Sequence, residues 1–225
     1  MQNFNIVRKS DIAKTYRVAH IMSDFDVDIE HANEHFVGEI VMPEKWNIGV
    51  ICGGSGTGKS TIATELFGDN LITQFEYSAK SVIDDMPPKC TMEEIEKTFY
   101  AVGFGSVPSW LKPYAVLSNG EKMRVDLARA ILENDFFVFD EFTSVVDRQV
   151  AQTACIAIEK SIRKNNKQFV AVSCHDDILE WLQPDWVLDT NTMKSFFMSA
   201  HDLKKDLKSE NVGVKNGESL AGIII

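Results

Sequence analysis

Ile48-Gly49-Val50-Ile51-Cys52-Gly53-Gly54-Ser55-Gly56-Thr57-Gly58-Lys59-Ser60 is the stretch from which the fold can be read. A short apolar run enters a glycine loop of the form GxxxxGK[ST]. Ser60 to Phe67 then reads as a helix closed by Gly68. Glycines at these intervals let backbone N–H groups curl around phosphate oxygens. The helix that follows adds its positive N-terminal end. Gly53, Gly54, Ser55, Gly56, Thr57, Gly58, Lys59, Ser60 and the adjoining Thr61 are therefore candidate nucleotide contacts. Lys59 is expected at the β- and γ-phosphates, and the Ser60 hydroxyl at Mg²⁺. A glycine loop that is merely flexible has no need of a strand before it and a helix after it.

A phosphate loop that uses magnesium needs an acid nearby. Phe136-Phe137-Val138-Phe139-Asp140-Glu141 supplies one. Four apolar residues read as a buried strand, with Asp140 emerging at its carboxyl end to hold Mg²⁺ opposite Ser60. Glu141, one residue further, is the candidate general base or water-orienting carboxylate. His175 follows another apolar run, Phe169-Val170-Ala171-Val172-Ser173, at the end of a strand where parallel sheets bind ligands. It is a candidate partner for the γ-phosphate.

The 225 residues suit one large domain or two small ones, with 44% hydrophobic and 25% charged residues. The net charge of -10 argues against a broad nucleic-acid surface. Lys160, Arg163, Lys164 and Lys167 form the basic cluster, which reads as a solvated helix end. No apolar run approaches the ~20 residues of a membrane span, and Met1 to Ser10 lacks the apolar core of a signal peptide. The cysteines at 52, 90, 155 and 174 include no CxxC pair. A reducing, cytoplasmic setting is expected.

Residues 15–51 read as β-rich, with Tyr16 to Ile21 and His35 to Met42 partly alternating and Asn47 to Cys52 a short apolar strand. Residues 69–116 look irregular around Pro87, Pro88 and Pro108. Thr91 and Glu94 read as a capping box for a helix through Tyr100, and Ser118 with Glu121 as another. Helices are expected over Arg148–Lys164 and Asp176–Trp181, and strands over Gln168–Ser173 and, last, Trp186–Asp189. Alternating strands and helices imply an α/β protein with a mostly parallel central sheet. The polar tail from Lys204, ending in Ile223-Ile224-Ile225, is expected to be flexible.

Leu117-Ser118-Asn119-Gly120-Glu121-Lys122-Met123-Arg124-Val125 resembles the signature motif of ATP-binding-cassette (ABC) ATPases, written LSGGQ, with Asn119 and Glu121 in place of a glycine and the glutamine. Asp126 to Leu132 is similar to the helix that leads to that family's acidic strand. Ser144-Val145-Val146-Asp147 resembles its D-loop, and His175 its switch histidine. The order of motifs is the family's, across roughly residues 15–190. The likeness implies a P-loop NTPase of the ABC type over residues 1–203. It would have an N-terminal antiparallel β subdomain at 15–51, a shortened helical region at 85–125 and a tail at 204–225.

The likeness also implies function. Ser118, Asn119, Gly120 and Asp147 would complete the ATP site of a second subunit, in a head-to-tail homodimer or ABC heterodimer. A soluble ATPase that drives a partner protein or nucleic-acid transaction is the leading expectation. A transporter's nucleotide-binding subunit and a non-hydrolysing ATP-gated scaffold are the alternatives. The family's glutamine after the strand following the first helix has no clear equivalent. Asp84 in Ser81-Val82-Ile83-Asp84-Asp85-Met86-Pro87 is the first candidate, as a magnesium-side ligand, and Gln74 the second. Phe25, then Tyr16, are the candidates to stack on adenine. Ser81-Val82-Ile83-Asp84-Asp85, Pro108-Ser109-Trp110-Leu111, the run Phe142 to Arg148 and Trp181 to Trp186 resemble soluble prokaryotic and phage cassette ATPases found fused to or beside a GNAT-type acetyltransferase, so an acetyltransferase-type partner is implied.

Overall fold

The structure is a computed structural model that describes residues 2–8, 13–26 and 34–198. Its centre is a six-stranded sheet. In chain order the strands are β3 (Ile48–Cys52), β4 (Leu71–Ile72), β5 (Phe136–Phe139), β6 (Gln168–Ser173), β7 (Trp186–Asp189) and β8 (Lys194–Phe197). Their spatial order is β4-β5-β6-β3-β7-β8, and only β8 runs antiparallel. β3 is buried along its whole length, as expected of a central strand covered on both faces.

Strand alternation sends successive side chains to two separate cores. Ile48, Val50, Phe137, Phe169 and Ala171 face one, which is covered by α3 (Met92–Ala101), α4 (Val107–Trp110), α5 (Asn119–Glu133), α6 (Arg148–Lys164) and α7 (Ile178–Leu182). Ile51, Val138, Val170 and Val172 face the other, which holds Ile62, Ala63 and Phe67 of α2 (Lys59–Phe67). The second core is closed by a two-stranded antiparallel hairpin of β1 (Gln2–Arg8) and β2 (Glu34–Ile40). Phe4, Ile6, Phe36 and Ile40 are its buried residues.

The fold is therefore α/β with a mostly parallel sheet and a separate antiparallel sheet at the N-terminus. Several elements differ from the sequence reading. Tyr16 to Ile21 is not a strand but part of α1 (Tyr16–Phe25), capped by Thr15, whose Oγ1 accepts from the Val18 amide at 3.3 Å. Val18, Ile21, Met22 and Phe25 recur at helical, not strand, spacing. β1 lies upstream of the β-rich region read from sequence, and β8 follows the strand expected to be last. The short helix expected over Asp176–Trp181 spans Ile178–Leu182. The tail at 204–225 lies outside the described residues.

Candidate nucleotide site

Residues 53–58 turn sharply between β3 and α2. Gly53, Gly56 and Gly58 have φ of 152°, 79° and 85°, a region open to glycine and strained for other residues. Packing also demands glycine at position 58, where a Cβ would stand 2.4 Å from Cε1 of Phe36. The β1–β2 hairpin is thus seated directly on the loop. From the other side the turn after β7 braces it. The Gly54 amide donates to Asn191 Oδ1 at 3.0 Å, and the Thr57 and Thr190 hydroxyls meet at 2.5 Å. Thr190 Oγ1 also donates to the Cys52 carbonyl at 3.1 Å. Neither Thr190 nor Asn191 belongs to a recognisable motif. Only the pairing of β7 with β3 places them.

The Lys59 ammonium donates to the loop's own Gly54 carbonyl at 2.6 Å. Gly58 gives α2 no side-chain cap, so the first amides of the helix face the loop without a protein side chain as acceptor. A cleft of about 280 Å³ opens over this loop. Ser55, Gly56, Gly58, Lys59, Ser60 and Thr61 line it together with Asp140 and Glu141. Asp140 Oδ1 accepts the Glu141 amide at 2.8 Å. Glu141 has φ of 51°, a conformation uncommon outside glycine, and Thr143 follows with 67°. The Phe142 amide fixes this turn by donating to the Val172 carbonyl at 2.8 Å. Arg8, Glu34, Ser144, Val172, Ser173 and Cys174 complete the lining; of these, Ser144 begins the D-loop-like segment, and no motif marks Arg8, Glu34 or Cys174.

Ser60 and Asp140 offer two hard oxygen donors to the same cleft. Among the described residues no group of three or more His, Cys, Asp or Glu side chains could by itself hold a metal ion. Two hard oxygen donors suit magnesium, which keeps several waters and takes only one or two protein oxygens beside phosphate.

The other candidates lie elsewhere. His175 is half-buried, two residues past β6, with its amide donating to Ser173 Oγ at 3.1 Å; its neighbour Cys174, not His175, lines the cleft. Asp147 caps α6, its Oδ1 accepting the Gln149 and Val150 amides, each at 3.0 Å. Phe25 and Tyr16 are 70% and 82% exposed on α1 and are not among the residues that line this cleft. Asp84 sits in a turn, bonded to the Ser81 hydroxyl and outside the cleft. Gln74 stands two residues beyond the carboxyl end of β4, the strand that follows α2.

Ser118, Asn119 and Gly120 form the start of α5 and also lie outside this cleft. Ser118 Oγ accepts the Glu121 amide at 3.3 Å, and Glu121 Oε2 accepts the Ser118 amide at 3.0 Å. Glu121 Oε1 takes the Ser109 hydroxyl at 2.7 Å. That bond, then those from Ser118, hold the Glu121 carboxyl below its ordinary range. Further along α5, Asp126 accepts the hydroxyls of Tyr77 at 2.7 Å and Tyr114 at 2.8 Å, whose rings stack 3.9 Å apart. Burial pushes all three groups above their ordinary pKa. Arg129 reaches from the same helix to the Glu76 carbonyl at 2.7 Å. The segment after β4 is thereby tied to α5.

No protein-family model matches the chain, and no curated protein matches its sequence. Solved structures do match. A protein from Clostridium perfringens, cbiO1, part of the ABC transporter complex cbiONQ, aligns with a TM-score of 0.60 at 17% identity, over 80% of this chain and 87% of its own. A transporter assigned to the metal-chelate ABC type, in an inward-facing conformation, aligns at 0.58 with 21% identity, over 81% and 82%. The chain has the fold of an ABC ATPase domain. A dimeric ATP-binding cassette in a post-hydrolysis state, bound to ADP and Pi, aligns at 0.55 with 15% identity, over 74% of this chain and 93% of its own. In this cassette fold the glycine loop shares one cleft with Asp140 and Glu141, while Asn119 of the segment resembling the signature motif lines a neighbouring hollow with Glu141. Among the described residues no helix is long and apolar enough to cross a membrane.

Proposed function

We propose that the chain is an ATPase that binds MgATP over Gly53–Thr61 and hydrolyses it within a head-to-tail pair of cassettes. The observation that carries this reading is the single cleft in which Lys59 and Ser60 face Asp140 and Glu141. The loop amides and the start of α2 receive the phosphates. Lys59 exchanges the Gly54 carbonyl for β- and γ-phosphate oxygens, an exchange of a neutral acceptor for a charged one. Ser60 and Asp140 would hold Mg²⁺, which would supply positive charge against the negative charge developing on the transferred phosphoryl group. Glu141 orients the attacking water and takes up its proton, while His175 contacts the γ-phosphate. Ser118, Asn119, Gly120 and Asp147 of a second copy close the site. Gln74, by its place after β4, takes the role of the family's glutamine in preference to Asp84.

The work coupled to hydrolysis is proposed to be done on a soluble partner, an acetyltransferase-type protein being the candidate the sequence likeness suggests. A second reading, the nucleotide-binding subunit of a membrane transporter, is favoured by the transporter cassettes among the structural neighbours. Phosphate release by the purified chain tests the activity. The wild type is expected to turn over ATP and Glu141→Gln to bind it with little turnover. Equal hydrolysis by both removes Glu141 from the mechanism. Co-purification with a multispanning membrane protein would favour the transporter reading.

A further inference from the structure

We propose that Arg8 is a second phosphate-binding cation of this cleft, and that Glu34 restrains it until nucleotide arrives. The inference rests on the nucleotide reading above and adds a residue that no motif marks. It starts from the alternation of the hairpin. Phe4 and Ile6 of β1 are buried and Asn5 and Val7 exposed, so the even-numbered side chains face α2 and the glycine loop. Arg8 continues that inward row. On β2 the matching row is Ile40, Gly38, Phe36 and Glu34, and Glu34 pairs in register with Arg8. Phe36 ends the apolar part of the row against Gly58. One step further, where another apolar side chain would cover the loop, the hairpin carries a cation and an anion instead. Both line the cleft beside Ser55, Lys59 and Ser60.

The ion pair between them suits an exchangeable role. Arg8 Nη1 lies 3.8 Å from Glu34 Oε2, with the two side chains 64% and 49% exposed, the class of contact that stabilises little. Among the described residues that line the cleft, Lys59 is the other cation, beside Asp140, Glu141 and Glu34. A nucleoside triphosphate with its magnesium brings more negative charge into that acidic setting. A guanidinium at the mouth offsets it, and a fork of N–H donors matches phosphate oxygens better than an exposed carboxylate at 3.8 Å. Because Phe36 seats the hairpin on Gly58, Arg8 is presented from a packed element. The contact is to phosphate, so it does not discriminate between bases.

Equilibrium titration of MgATP and MgGTP into the wild type, Arg8→Ala, Arg8→Lys, Glu34→Gln and Lys59→Ala tests this. Arg8→Ala is expected to weaken both nucleotides roughly tenfold or more, the usual weight of a charge-assisted contact, with an unchanged melting midpoint. Arg8→Lys should recover part of the loss, and Glu34→Gln should bind at least as tightly as the wild type. Wild-type affinity in Arg8→Ala overturns the proposal, as does a loss confined to ATP, which would make Arg8 a reader of the base. Equal losses in Arg8→Ala and Arg8→Lys with lowered melting midpoints would assign Arg8 to folding instead and also overturn it. If the wild type binds neither nucleotide, or Lys59→Ala binds as well as the wild type, the nucleotide reading itself fails, a result distinct from these.

Discussion

Lys59 and Gly58 show how one residue each carries a separate requirement. Lys59 already points along the loop, bonded to the Gly54 carbonyl. Lys59→Ala should weaken MgATP binding by roughly tenfold to a hundredfold, measured by calorimetric titration. Gly58 serves geometry: its φ is 85° and Phe36 occupies the space of a Cβ. Gly58→Ala should cost about 1–3 kcal/mol in denaturant unfolding, from overpacking plus left-handed strain. Tyr77 and Tyr114 give a pH signature. Burial raises both phenols, so between the ordinary phenol value and their own they stay protonated when folded and ionise when unfolded. The stability they contribute is complete below about pH 10 and is lost as pH rises beyond it. Thermal melts from pH 8 to 11 should show the midpoint falling at the alkaline end, with a smaller fall in Tyr77→Phe.

At the scale of elements, the legible parts were those whose local signals agreed. β3, β5 and β6 are apolar runs of strand length, and α3 and α5 begin with complete capping boxes. α1 was misread because the alternation of Tyr16 and Val18 hides the wider spacing of Val18, Ile21, Met22 and Phe25. β1 was missed because asparagines interleave its two buried residues, and its strand character depends on β2 across the hairpin. The capping box of α5 does more than start a helix, since Glu121 also anchors Ser109. Glu121→Ala should lower stability by about 1 kcal/mol. Because the folded carboxyl is held low, its contribution is present above the unfolded glutamate value and lost as pH falls through the folded one. Acid titration of stability in the wild type and this variant should converge at low pH.

At the scale of the molecule, the glycine loop and the acidic strand could be joined from sequence because each carries a motif. Arg8, Glu34 and Cys174 could not, since only the three-dimensional fold brings them to the loop. The basic cluster at the end of α6 has a structural use. Arg163 binds Glu159, Asp185 and the Gln183 carbonyl, and Lys167 binds the Ile131 and Asn134 carbonyls. With a net charge of -10, the molecule should show no broad salt-dependent affinity for duplex DNA. Ser118, Asn119 and Gly120 do not line the cleft over the glycine loop, although Asn119 shares a neighbouring hollow with Glu141. On the proposed account a complete site needs two copies. Size-exclusion chromatography with light scattering on Glu141→Gln, with and without MgATP, tests that most directly. The expected result is a dimer that appears only with MgATP and is lost in Glu141→Gln/Ser118→Arg. A monomer in saturating MgATP would contradict the shared-site account.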